Sequence, residues 1–87
     1  MITKDKLVIF KKYNGEVDNF GMLGKKSEHK FITDNDWYII SGLVQDIKLI
    51  NNNLASPEYA SNVFKTMKDL CDDESTYLIL KDLAKTL

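Results

Sequence analysis

Five carboxylates in two short clusters are the first candidates for chemistry. Asp34 and Asp36 lie two residues apart, and Asp72, Asp73 and Glu74 are consecutive. Acid–base catalysis of the glycosidase type requires two carboxylates that face each other across a cleft, one of them with a raised pKa. Both clusters instead coincide with predicted helix starts, where ionised carboxylates stabilise the positive end of the helix dipole. We therefore predict helix-capping acids and not a catalytic pair.

Metal ligands and nucleophiles are few. His29 is the only histidine and Cys71 the only cysteine, whereas a zinc site takes three or four such ligands. Residues 34–36 resemble the start of a calcium loop, but Ile39 stands where the loop needs glycine and Gln45 where it needs glutamate. Cys71 falls on an apolar helix face, which is typical of a buried, inert thiol. The sequence predicts no metal site, no cofactor and no enzyme.

Three lysines in a glycine-containing loop form a candidate anion site. Lys25, Lys26 and Lys30 follow Gly21 and Gly24, but the spacing matches no phosphate-binding loop. The chain has no arginine, the residue that reads guanine edges and phosphates with two hydrogen bonds. A weak nucleic-acid or anion binder that uses residues 25–30 therefore stays an alternative function, and sequence-specific DNA reading is disfavoured.

Composition is that of an ordinary globular domain. The 87 residues are 44% hydrophobic and 29% charged, with a net charge of −1, so no strong field steers the chain to nucleic acid or membrane. A chain this short is expected to form one domain, residues 1–87. A single cysteine and the absence of a long apolar run predict a cytoplasmic protein that does not insert into membranes.

The second half of the chain has strong helical periodicity. Apolar residues recur at three- and four-residue steps, which predicts core-facing helices over residues 34–52, 57–71 and 74–86. The predicted inward residues are Trp37, Ile40, Leu43, Val44, Ile47 and Ile50, then Ala60, Val63, Phe64, Met67, Leu70 and Cys71, then Tyr77, Leu80, Leu83, Ala84 and Leu87.

Local signals mark the ends of these helices. Thr33 is a predicted N-cap with an acid three residues later, and Ser56 followed by Pro57 is another. Residues 51–53, all asparagine, are predicted to end the first helix, because asparagine tolerates the left-handed conformation.

The first third of the chain, residues 1–33, allows two interpretations. Residues 3–13 fit a helix that Thr3 caps and that buries Leu7 and Phe10. The same region also fits a hairpin, since residues 7–10 favour strands and residues 14–15 are Asn-Gly, a strong turn signal. The connection over residues 14–33 is long for a compact domain. We predict an all-α bundle of three or four helices, with α+β as the alternative.

Some apolar residues fall off the predicted core faces. Tyr38, Gly42 and Leu49 lie on one side of the first helix of the 34–87 core, and Leu78 and Ile79 lie off the inward face of the last. The N-terminal segment can cover them, with Gly42 allowing close approach, or they form a surface for a protein partner or self-association. We predict a non-enzymatic interaction module, of the size and composition of bacterial or phage inhibitors and immunity factors.

The predicted helix phase can be tested by substitution. Val63→Asp or Phe64→Asp should abolish folding, because each would bury an unpaired charge. Lys65→Asp, one residue further on, should change the free energy of unfolding by less than about 0.5 kcal/mol. Circular dichroism and urea denaturation measure both effects, and equal losses at the two positions would show that the phase is wrong.

Overall fold

The chain folds into a small bundle of four helices. The computed structural model describes residues 1–14 and 32–86. Its helices are α1 (Lys4–Asn14), α2 (Asp34–Asn51), α3 (Pro57–Leu70) and α4 (Glu74–Thr86). Within these residues there is no strand, only a single parallel bridge between Ile2 and Cys71. The predicted all-α class is confirmed.

The predicted helix ends lie within one residue of the observed ones, and their caps form as expected. The Thr33 hydroxyl accepts a hydrogen bond from the N–H of Asp36 (3.1 Å). The Ser56 hydroxyl accepts one from the N–H of Tyr59 (3.1 Å). Beyond the end of α2, Asn53 adopts a left-handed conformation with φ of 58°. These contacts depend only on residues within one turn of each other, which is why sequence alone predicts them.

The core forms where the inward faces of the helices meet. In the described residues, α2 packs against both α3 and α4, and α1 packs against α4. The predicted inward positions are buried or half-buried; Leu87 lies outside the described residues. The buried apolar side chains are Ile2, Leu7, Phe10, Ile32, Trp37, Ile40, Leu43, Val44, Ile47, Val63, Met67, Cys71, Leu80, Leu83 and Ala84.

The alternative strand over residues 7–10 is wrong, because these residues lie in α1. Leu7 and Phe10 are both fully buried, whereas Val8 between them is 66% exposed. A strand would place Leu7 and Phe10 on opposite faces, whereas a helix places residues three apart on the same face. The hydroxyl of Thr3 accepts a hydrogen bond from the N–H of Lys6 (3.3 Å), as expected of a capping residue.

The extreme N-terminus is tied to the junction between α3 and α4. The N–H of Ile2 donates to the carbonyl of Leu70 (2.7 Å), and the N–H of Asp72 donates to the carbonyl of Ile2 (3.0 Å). The side chain of Ile2 is 2% exposed. The sequence analysis missed this residue, because it precedes the first helix and belongs to no periodic pattern.

Other contacts fix α1 beside α2. The rings of Phe10 and Trp37 pack with centroids 4.5 Å apart. The ammonium of Lys6 donates to the carbonyl of Met1 (2.8 Å) and lies 3.0 Å from a carboxylate oxygen of Asp36. One aromatic contact and one ion pair of α1 therefore meet the first turn of α2.

The buried side chain of Ile2 leads to a prediction about stability. Ile2→Ala should lower the free energy of unfolding by about 2–4 kcal/mol, because it leaves a cavity at the junction where α3 ends and α4 begins. Val8→Ala, a comparable truncation at an exposed site, should change it by less than about 0.5 kcal/mol. Urea denaturation of both variants measures the difference, and a tolerated Ile2→Ala would mean that the tie does not stabilise the bundle.

Candidate functional site

The consecutive acids at the start of α4 form a helix cap. The carboxylate of Asp73 accepts a hydrogen bond from the N–H of Thr76 (2.8 Å). The hydroxyl of Thr76, which is fully buried, donates to the carboxylate of Asp72. The backbone hydrogen bond from Thr76 and the nearby Lys4 ammonium hold the pKa of Asp73 below its usual value, although partial burial opposes them. A carboxylate held ionised in this way is a poor general acid.

The acids at the start of α2 also stabilise the fold. Burial by itself raises the pKa of Asp36, but the hydrogen bond and charge of Lys6 and the hydrogen bonds of Thr33 lower it overall, below the usual 3.8. Asp34 lies in the same first turn, where the dipole favours a negative charge. Asp36 and Asp73 are thus each held in the ionised form by partners that also stabilise a helix start.

The single cysteine, Cys71, is buried and not in a disulfide. Burial, and then the charges of Asp72 and Asp73, raise the pKa of the Cys71 thiol. A thiol with a raised pKa stays protonated at neutral pH and is a weak nucleophile. His29, the only histidine, lies outside the described residues. Among the residues that are described, no group of three or more His, Cys, Asp or Glu side chains could hold a metal ion.

An open, largely apolar groove lies between α2 and α3. It encloses about 570 Å³ and contains a single charged group, Asp46. That carboxylate accepts a hydrogen bond of 2.6 Å from the hydroxyl of Tyr59, which links the two helices at the rim. The lining residues are Tyr38, Ile39, Ser41, Gly42, Leu43, Gln45, Asp46, Thr66 and Leu70.

A second row of residues runs along the outside of α2. We call Tyr38, Gly42, Gln45 and Leu49 the outer seam; their successive spacings are four, three and four residues. Tyr38 is 79% exposed and Leu49 41% exposed, and Gly42 and Gln45 are exposed as well. The sequence analysis singled out three of these residues and missed Gln45, although the regular spacing could have identified it.

No described residue makes the close approach that the sequence suggests at Gly42. Among residues 1–14 and 32–86, a Cβ atom built on Gly42 would have no heavy atom of a neighbouring element within 4 Å. None of the described segments therefore packs against this side of α2.

The two remaining candidates for a partner surface lie elsewhere, on α4. Ile79 is 39% exposed and lines a separate groove with Leu7, Val8 and Lys11 of α1. Helix α1 thus approaches Ile79, as expected if the N-terminal segment covers this residue. It does not line the groove between α2 and α3. Leu78 is 52% exposed. The five residues singled out in the sequence do not share a single groove.

The candidate anion contacts at Lys25, Lys26 and Lys30 lie outside the described residues. The alternative of a weak nucleic-acid or anion binder therefore stays a prediction.

The ion pair between Lys6 and Asp36 makes a prediction about pH. Because the folded state has the lower Asp36 pKa, the pair stabilises the fold above the usual carboxyl pKa, and this contribution is lost as pH falls through the folded value. A double-mutant cycle with Lys6→Met and Asp36→Asn should give a coupling energy of about 0.5–1 kcal/mol near neutral pH and about zero near pH 2.

The exposed pair of Lys85 and Asp82, 3.8 Å apart, is a matched control for this cycle. Lys85→Met and Asp82→Asn should show almost no coupling at either pH, because solvent screens the two charges. Urea denaturation measures both cycles, and a Lys6–Asp36 coupling that persists in acid would mean that the contact is not ionic.

None of the four helices has the length and apolar character needed to cross a membrane, as far as the described residues go. The polar clusters at the starts of α2 and α4 serve as helix caps and ion pairs. Comparisons with models of known protein families, with curated proteins and with solved structures found no match.

Proposed function

We propose that this chain is a non-enzymatic protein-interaction module that binds a protein partner through the outer seam and the groove between α2 and α3. The proposal depends mainly on one observation: no described residue packs against Gly42, which lies between two exposed apolar side chains, Tyr38 and Leu49.

Glycine at this position lowers the stability of α2, and no contact among the described residues compensates for it. In the interior of an exposed helix, glycine is about 1 kcal/mol less favourable than alanine. Gly42 lies in the middle of α2, and none of the described residues would clash with a methyl group there. A glycine that lowers helix stability, with no packing reason among the described residues, supports close approach by a molecule from outside.

The side chains around Gly42 are of the types that anchor protein interfaces. Tyrosine at the centre of an interface often contributes a large share of the binding energy, and its hydroxyl can keep a polar contact at the rim. Tyr38 lies at the edge of the groove, and the half-buried Leu70 lies on the α3 side. The near absence of charge in the groove favours a partner whose contacting face is apolar.

Affinity capture with paired variants tests this function. The full chain and its variants are immobilised, exposed to a lysate of the organism that makes the protein, and the retained proteins are quantified by mass spectrometry. Leu49→Asp should lower retention of the bound protein at least about 10-fold, because it places a charge in the apolar contact. Leu78→Asp, which changes a leucine of similar exposure on α4, should retain it as the wild-type chain does.

Circular dichroism of both variants confirms that each is folded before capture is compared. Equal retention by Leu49→Asp and the wild-type chain would rule out binding through the outer seam. Loss with Leu78→Asp and not with Leu49→Asp would move the interface to α4.

A further inference from the structure

We propose that the occupant of the outer seam is a second copy of this chain, packed with its α2 antiparallel to the first about a two-fold axis. The proposal rests on the proposed function, since it names the protein partner of the same surface. Three features of α2 support it: the spacing of the seam, its symmetry and the placement of charge along the helix.

The spacing of the seam is that of helices packed side by side. Intervals of four, three and four residues place Tyr38, Gly42, Gln45 and Leu49 on one line along the helix, which is the pattern of core positions in coiled coils. The buried face of α2 already has its own row, with Trp37, Ile40, Val44 and Ile47. Helix α2 therefore carries two such rows, and only one of them is covered within the described bundle.

The seam is complementary to itself when it is reversed end to end. Reversal about the midpoint between residues 43 and 44 exchanges position 38 with 49 and position 42 with 45. Each Tyr38 then faces Leu49 of the second copy, and each Gly42 faces Gln45 of the second copy. An aromatic ring meets an aliphatic side chain, and the longest polar side chain of the seam meets the space that glycine leaves. Every contact occurs twice, as in an interface with two-fold symmetry.

The charges of α2 favour the antiparallel direction. Its first turn begins with Asp34, and its last turn holds Lys48; Asp36 instead faces α1, where it pairs with Lys6. Antiparallel packing brings the acidic end of each helix toward the basic end of the other and also pairs the helix dipoles favourably. Parallel packing would bring like charges together. The net charge of −1 adds little repulsion between two copies.

The mass of the full chain in solution tests the proposal. Sedimentation equilibrium over about 10 μM to 1 mM should show the mass rising from that of one chain, 10.0 kDa, to that of two. Leu49→Asp should weaken this association at least about 10-fold. Leu78→Asp should leave it unchanged, because that leucine lies on α4 and outside the seam.

Gln45→Lys is a second seam variant, chosen because it changes an exposed polar residue in a helix and so preserves folding. In the antiparallel arrangement the two new ammonium groups lie close to the two-fold axis. The association should again weaken at least about 10-fold. A circular dichroism spectrum identical to that of the wild-type chain shows that the loss does not come from unfolding.

Charge reversal tests the direction of the two helices. Lys48→Glu should weaken an antiparallel dimer, since it places an acid opposite the acidic end of the second copy. In a parallel dimer the same change would replace one like-charge pair by another and leave the association almost unchanged. Lys85→Glu on α4, an exposed lysine remote from the seam, is the matched control.

A wild-type chain that stays monomeric at about 1 mM would overturn the proposal, as would a dimer that Leu49→Asp and Gln45→Lys leave intact. These results can contradict the dimer without contradicting the proposed function. If the chain is monomeric but captures a different protein in a manner that depends on Leu49, the interaction module stands and the second copy does not.

Discussion

The constraint on which the rest of the structure depends is that α2 must bury one face against both α3 and α4. The face with Trp37, Ile40, Val44 and Ile47 meets those two helices and α1 at the centre of the bundle. A helix in a small bundle cannot turn two opposite faces inward, since the remaining helices are too few to surround it. Burial of this row therefore leaves the outer seam, which contains Tyr38, facing away from the core.

The placement of α1 decides which surface stays open. Ile2 is held between the backbone of Leu70 and Asp72, and Lys6 pairs with Asp36. These contacts hold the N-terminal helix near α4 and the first turn of α2. Helix α1 lines the groove beside Ile79 and contributes nothing to the groove between α2 and α3.

The polar groups considered as candidates for catalysis make contacts that stabilise the fold. Asp73 caps α4, Asp36 pairs with Lys6, and burial keeps the thiol of Cys71 protonated. Each of these groups has a local task that requires a fixed charge state, whereas acid–base catalysis requires groups that change theirs. The groove between α2 and α3, by contrast, is lined by apolar and uncharged groups apart from Asp46. The proposed interaction depends on that groove and on Gly42, beside which no described residue packs.

The sequence by itself determined the helices, their caps and their inward faces, because each depends on residues within a turn or two along the chain. Thr33 and Ser56 act as the caps that their types predict, and the three- and four-residue spacing places Val63 inside. Only the tertiary structure decided between helix and strand for residues 7–10, since both patterns fit until a neighbouring core is present. It alone placed Ile2, whose two hydrogen-bond partners are about seventy residues away in sequence. It alone showed that none of the described residues packs against Gly42. Contacts between distant residues leave no periodic signal, because they depend on how whole helices are arranged in space.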